Sequence, residues 1–114
     1  MTDIEKLTVS RLQDRFPDAV TAVSEFRSEV TVDVKGEAIV PVCQFLRDDP
    51  DLAYDFLVDL TAVDYSQHPQ KKARFGVVYL LHSYKTNERI RLKVWLDDDD
   101  PVVPTVTGVW GAAN

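Results

Sequence analysis

Phe75-Gly76-Val77-Val78-Tyr79-Leu80-Leu81, a turn at Thr86-Asn87-Glu88, and then Arg89-Ile90-Arg91-Leu92-Lys93-Val94-Trp95 is the stretch on which the fold turns. The first run is apolar on both faces, as a central strand is when it is covered on two sides or flanked by a partner. The second alternates: Ile90, Leu92 and Val94 share one face while Arg89, Arg91 and Lys93 share the other. That period of two predicts a strand with a core face and a basic face. Trp95 falls on the basic face beside Lys93. An aromatic among cations is a common interface composition, and it is equally the mark of a Trp covered by a loop of its own chain.

Working outward, residues 55–64 read as another strand, with Phe56, Val58, Leu60 and Ala62 sharing a face and a helical start near Leu52-Ala53. Pro41 suits the first turn of a helix, where a missing N–H costs little. Val42, Phe45 and Leu46 give that helix an inner face, and Asp48-Asp49-Pro50 ends it. Upstream, residues 20–26 and 30–35 alternate, with Val30, Val32 and Val34 on one side. Ser28-Glu29 suits a short connection, although no Asn-Gly signal fixes the turn. Thr2-Asp3-Ile4-Glu5 matches a capping box, and Ile4, Leu7, Leu12 and Phe16 form the stripe of a helix ending at Pro17. Downstream, Pro104-Thr105 starts a further helix in which Val106, Val109, Trp110 and Ala113 share a face.

The order α-β-β-α-β-β-β does not alternate regularly. It predicts a two-layer α+β fold: a mixed five-stranded sheet covered by helices on one face, plus the start of a C-terminal helix. Residues 1–104 are expected to form the single α+β domain, and residues 105–114 to be the truncated start of a C-terminal segment whose apolar stripe wants a partner and which continues past Asn114. The apolar face left at Trp110 would favour non-native self-association of the fragment.

A composition of 45% hydrophobic and 28% charged residues fits an ordinary globular domain. No apolar run approaches the roughly 20 residues of a membrane span, so no direct membrane insertion is expected. The acidic start Met1-Thr2-Asp3-Ile4-Glu5-Lys6 has no signal-peptide pattern, and Cys43 alone cannot form an intramolecular disulfide; both fit a cytoplasmic setting. A net charge of −6 argues against nucleic acid as a partner. Residues 71–93 nevertheless carry seven Lys/Arg against the single acid Glu88, a +6 band in a body of −12. That band is either a solvated sheet face or a surface that docks an acidic protein.

Catalytic patterns are missing. His68, His82 and Cys43 cannot make a zinc site of ordinary spacing, and His68 reads as exposed while His82 reads as structural or edge-exposed. Cys43 reads as a small core residue. Asp97–Asp100 lacks the spacing of a calcium loop and reads as a solvated turn. Asp59 and Asp64, five apart on a strand, point to opposite faces. No nucleotide-binding loop or nucleophile elbow is present, and Gly108-x-x-Gly111 is too weak to count as a phosphate loop. These readings predict no catalytic, cofactor-binding or metal residue.

Five blocks in order resemble the thirty-kilodalton subunit (the C subunit) of bacterial NADH:quinone oxidoreductase, respiratory complex I. They are Leu46-Arg47-Asp48-Asp49-Pro50-Asp51-Leu52, Asp59-Leu60-Thr61-Ala62-Val63-Asp64-Tyr65, Val78-Tyr79-Leu80-Leu81, Arg89-Ile90-Arg91-Leu92-Lys93-Val94 and Pro104 to Asn114. The resemblance covers residues from about 40 to 114. It implies a structural, non-catalytic domain of the complex's hydrophilic arm, peripheral on the cytoplasmic side of the inner membrane. NAD, FMN, iron–sulfur clusters and quinone would belong to the complex and not to this chain. The implied neighbours are the D subunit, which helps form the quinone site, and the iron–sulfur subunits. The family's Trp-Tyr-Glu-Arg-Glu run, expected directly after Asn114, is not in this sequence. Arg89, Arg91, Lys93, Trp95 and Trp110 are the candidate contact residues. Two other readings stand beside this one: the equivalent subunit of a related membrane-bound hydrogenase complex, and a free-standing module that docks acidic partners through the basic strand.

Overall fold

The computed structural model describes residues 1–64 and 75–96. Helix α1 (Asp3–Arg15) opens with the expected capping box: Thr2 Oγ1 accepts from the Glu5 N–H, and Glu5 Oε1 accepts from the Thr2 N–H. Strands β1 (Val20–Phe26) and β2 (Glu29–Val34) follow as a hairpin. A 3-10 turn (Gly36–Ala38) leads into α2 (Ile39–Asp48), and β3 (Phe56–Asp64), β4 (Phe75–Ser83) and β5 (Glu88–Leu96) complete the described chain. This is the predicted α+β order. The predicted C-terminal helix, with Trp110, lies outside the described residues, as do His68 and Asp97–Asp100.

The sheet runs β1-β2-β5-β4-β3, with β2 and β5 parallel and the other neighbours antiparallel. One face carries Val30, Val32 and Val34 of β2, Ile90, Leu92 and Val94 of β5, and Tyr79 and Leu81 of β4. Against it pack Val9 and Leu12 of α1 and Ile39, Val42, Cys43 and Leu46 of α2, all buried in one core with Leu52 and Tyr54. Alternation in the strands and the i, i+3, i+4 stripe in the helices thus meet at a single layer boundary. Phe16 and Phe45 close one side of it edge to face, with ring centroids 5.9 Å apart.

Three local details were not expected. The hairpin turn is Arg27-Ser28, and both residues take left-handed backbone, with φ of 51° and 69°. Two-residue hairpins favour that twist, but neither residue is the Gly or Asn that adopts it easily. Ser28→Gly is therefore expected to raise stability by about 0.5–1 kcal/mol, read as a rise in the urea midpoint with an unchanged slope. The second detail corrects the face assigned to β3. Val58 is an extra residue: Leu57 pairs with Leu81 and Asp59 with Leu80, so the register slips between them. A bulge reverses the alternation beyond it. Phe56 consequently lies with His82 on the open face, whereas Leu60 and Ala62 lie with Tyr79 and Val77 on the helix side.

The third detail is a clamp between the helices. Arg11 of α1 reaches both carboxylate oxygens of Asp49 at 2.7 Å and Asp51 at 2.8 Å, just past the end of α2. Burial pushes the Asp49 carboxyl up, but the Asp51 amide, the Arg11 guanidinium and the Leu52 amide outweigh it, and the group sits below its ordinary value. A depressed carboxyl stabilises the fold above its unfolded value of 3.8, and the contribution is lost as pH falls through the lower folded value. Arg11→Met is therefore expected to lower Tm by several degrees at pH 7, and by progressively less as pH falls below 3.8 and the wild type loses the interaction. Thermal melts of both proteins from pH 7 downward check this.

Candidate functional site

The helices cover one face of the sheet, so the other is where the basic strand must act. Register places Arg89, Arg91, Lys93 and Trp95 there, opposite in β4 to His82, Leu80, Val78 and Gly76. The structure thus brings four of the five candidate residues into one line on one face. The fifth, Trp110, lies outside the described residues.

What the sequence did not reveal is the neighbour on the other side. β2 lies parallel to β5 and pairs Thr31 with Arg91 and Asp33 with Lys93, so its own polar face abuts the basic one. Arg91 forms an ion pair with Glu29 at 2.5 Å. The Trp95 indole Nε1 donates to Asp33 Oδ2 at 3.1 Å, and Lys93 Nζ stands 5.0 Å from the centre of the Trp95 ring. A cation over an indole face is attracted by the ring quadrupole. These contacts orient the row and offset part of its charge. Trp95 is thus tied to strand β2 of its own chain through Asp33. Arg89 is exposed and makes no ion pair among the described residues. It is the guanidinium best placed to meet a carboxylate from outside.

At the start of β5 the two parallel strands part, because their pairing begins only at Thr31 and Arg91. The gap is a polar cavity of about 410 Å³ whose lining includes Glu29, Glu88, Arg89, Arg91 and His82. Glu5 lies at its helix side, already engaged in the capping box. Carboxylates and guanidiniums are mixed in it without a converging set for one ligand. His82 is half-buried, stacks edge to face on Tyr84 at 4.8 Å, and its Nδ1 has no hydrogen-bond partner. Among the described residues no group of three or more His, Cys, Asp or Glu is placed to hold a metal ion. Among them, too, no helix is long and apolar enough to cross a membrane.

Cys43 is fully buried in α2, and burial pushes its thiol up to about 12. A thiol reacts as the thiolate, so labelling must wait for opening of the fold. Labelling of the native chain at pH 8 is expected to be at least about 1,000-fold slower than in urea, given ordinary domain stability. A thiol-reactive chromophore measures both rates.

Comparison with known proteins connects this geometry to a family. The family model for the 30 Kd subunit of respiratory-chain NADH dehydrogenase matches residues 32–114. That span begins inside β2, at Val32, and contains the whole of β5 with its charged row, while Glu29 lies just before it. The chain is 45% identical over 106 residues to the C subunit of NADH-quinone oxidoreductase from Roseiflexus sp. (strain RS-1), covering 93% of this chain and 59% of that protein. It is 39% identical over 117 residues to the subunit of the same name from Acidithiobacillus ferrooxidans (strain ATCC 53993 / BNL-5-31), covering 100% and 58%. The chain thus spans about three-fifths of the length of these relatives. A chain from the membrane-bound sulfane sulfur reductase, an archaeal respiratory membrane complex, superposes with a TM-score of 0.70 at 19% identity, covering 96% of this chain and 61% of that one. At that identity the likeness is one of fold alone. The match across β2 to β5, and relatives this similar over 93% or more of the chain, place it in the family of the 30 kDa subunit of respiratory-chain NADH dehydrogenase.

Proposed function

We propose that this chain is a non-catalytic structural and assembly domain of the hydrophilic arm of an NADH:quinone oxidoreductase. It supports electron transfer from NADH to quinone without holding a cofactor, and it sits peripherally on the cytoplasmic side of the membrane. Its partners are other arm subunits, chiefly the D subunit and the iron–sulfur subunits, met through the open face at Arg89, Arg91, Lys93 and Trp95, with Trp110 beyond. The observation that carries the reading is the family match across residues 32–114. The preorganised charged row adds to it, since ordered charge at an interface contributes orientation and on-rate more than affinity.

The test is affinity purification of the tagged full-length protein from membranes of its host. Iron–sulfur subunits should co-purify, and a tagged protein recovered alone would sink the reading. For the open face, Arg89→Glu is the informative change. Arg91→Glu would set a carboxylate against Glu29 and disturb the sheet itself, whereas Arg89 breaks no internal ion pair among the described residues. Arg89→Glu is expected to reduce recovery of the complex about tenfold or more while leaving the circular dichroism spectrum unchanged. Undiminished recovery would remove Arg89 from the interface.

A further inference from the structure

We infer that the free edge of β3, with the aromatic corner Phe56–Tyr84, is a second docking site, and that its occupant is an extended, basic segment of another subunit. The inference rests on the proposed role in a multi-subunit assembly.

Among the described residues β3 has one neighbour, β4. Of the large apolar side chains left exposed, four gather here: Phe56 at 43%, Val58 at 40%, Leu60 at 52% and Tyr84 at 68%. Phe56 and Tyr84 touch edge to face, with centroids 5.9 Å apart. A nine-residue edge strand that exposes Phe56, Val58 and Leu60 is a template for strand addition, and such an edge is ordinarily blunted or covered. The bulge at Val58 decides the shape of the cover, because it puts Phe56 on the open face and Leu60 on the helix side. A helix laid on one face would reach only one of them. An added strand pairs with the edge and presents alternate side chains to both faces.

Charge identifies the occupant. From Asp48 to Gln70 the sequence contains no Lys or Arg, and Asp59 sits exposed at the middle of the edge, with Asp55 just before the strand. Two copies joined edge to edge would bring acidic edges with no Lys or Arg together, Asp59 of each strand included, which like-charge repulsion opposes. A segment carrying Lys or Arg between apolar residues would be attracted instead. In the free chain Asp59 caps its own backbone: one oxygen takes the Leu60 N–H at 2.8 Å and the other the Thr61 hydroxyl at 3.1 Å. That cap guards the middle of the edge against indiscriminate strands, and a partner's cation would draw it away.

The test compares the full-length protein free and in the purified complex. Amide hydrogen exchange over residues 57–62 should slow on assembly. Val58→Lys and Leu60→Lys alter exposed side chains, so the fold should survive by circular dichroism while co-purification of the complex is lost. Phe26→Ser, on the opposite edge and more exposed still, should leave co-purification intact. Wild-type recovery of both lysine variants, with β3 amides unprotected, overturns the edge site alone. So does a wild-type dimer that Leu60→Lys converts to monomer, because the occupant would then be a second copy. If the wild type recovers no other subunits, both this inference and the proposed function fall.

Discussion

Leu92→Ala is expected to destabilise the domain by about 3 kcal/mol, within the range of roughly 2–5 found for such truncations in well-packed cores. Leu92 is fully buried at the middle of β5, between β2 and β4 and beneath the helices. Its neighbours Val32 and Tyr79 belong to strands held on both sides by backbone pairing, so they cannot collapse into the space left behind. The same substitution at Leu60 should cost less than about 0.5 kcal/mol in the free chain, because half of that side chain is already in water. Urea titrations of the two variants give the contrast directly. Similar losses at both sites would mean that Leu60 is covered in solution, and the β3 edge would then not be free to dock anything.

The second large effect is alkaline. Burial pushes Cys43 from 9.0, Tyr54 from 10.0 and Tyr79 from 10.0, each up to about 12. Tyr54 also shares a buried hydrogen bond of 3.0 Å with Thr8, which opposes the shift without cancelling it. For groups raised on folding, the stabilisation is complete below the unfolded values and is lost as pH rises toward the folded ones. Between pH 9 and 12 the unfolded chain ionises all three while the folded chain resists. By pH 11 the combined loss is of order 5 kcal/mol, taking 1.36 kcal/mol per unit. That is comparable with the whole stability of a small domain. Cooperative unfolding near pH 11, followed by far-UV circular dichroism and tyrosinate absorbance together, is the expected outcome. Tyrosinate appearing before the fold is lost would show that water reaches these rings.

Much of this architecture was legible because local and tertiary demands coincide. Thr2 and Glu5 sit at the spacing of a reciprocal cap, and Val30-Val32-Val34 and Ile90-Leu92-Val94 keep a strict period of two. One face is buried, so a slip of one residue would turn each set outward. The features that were not legible leave no local trace. Arg27-Ser28 is a left-handed turn without a glycine, held by the strands that it joins. The run from Phe56 to Ala62 looks like unbroken alternation, and nothing in its composition marks Val58 as the inserted residue. The candidate row shows the same division. That Arg89, Arg91, Lys93 and Trp95 share a face follows from spacing. That Glu29 and Asp33 lie beside them follows from which strands are neighbours, and a single sequence does not encode this in any short window. The basic band therefore looked more cationic in the sequence than it is in the sheet.

The parallel pairing of β2 with β5 also sets an order of events. Thr31 meets Arg91 across sixty residues, whereas the β1–β2 and β4–β5 pairs close across short turns. Long-range closure carries a larger entropic penalty and slows folding. During synthesis, which proceeds from the N-terminus, the first hairpin and both helices emerge before the strand that completes their sheet. Until β5 arrives, the valines of β2 have an open flank and α1 and α2 rest on half a floor. The last described strand is thus the keystone, and a nascent chain waiting for it is the form most exposed to chaperones and to mispairing.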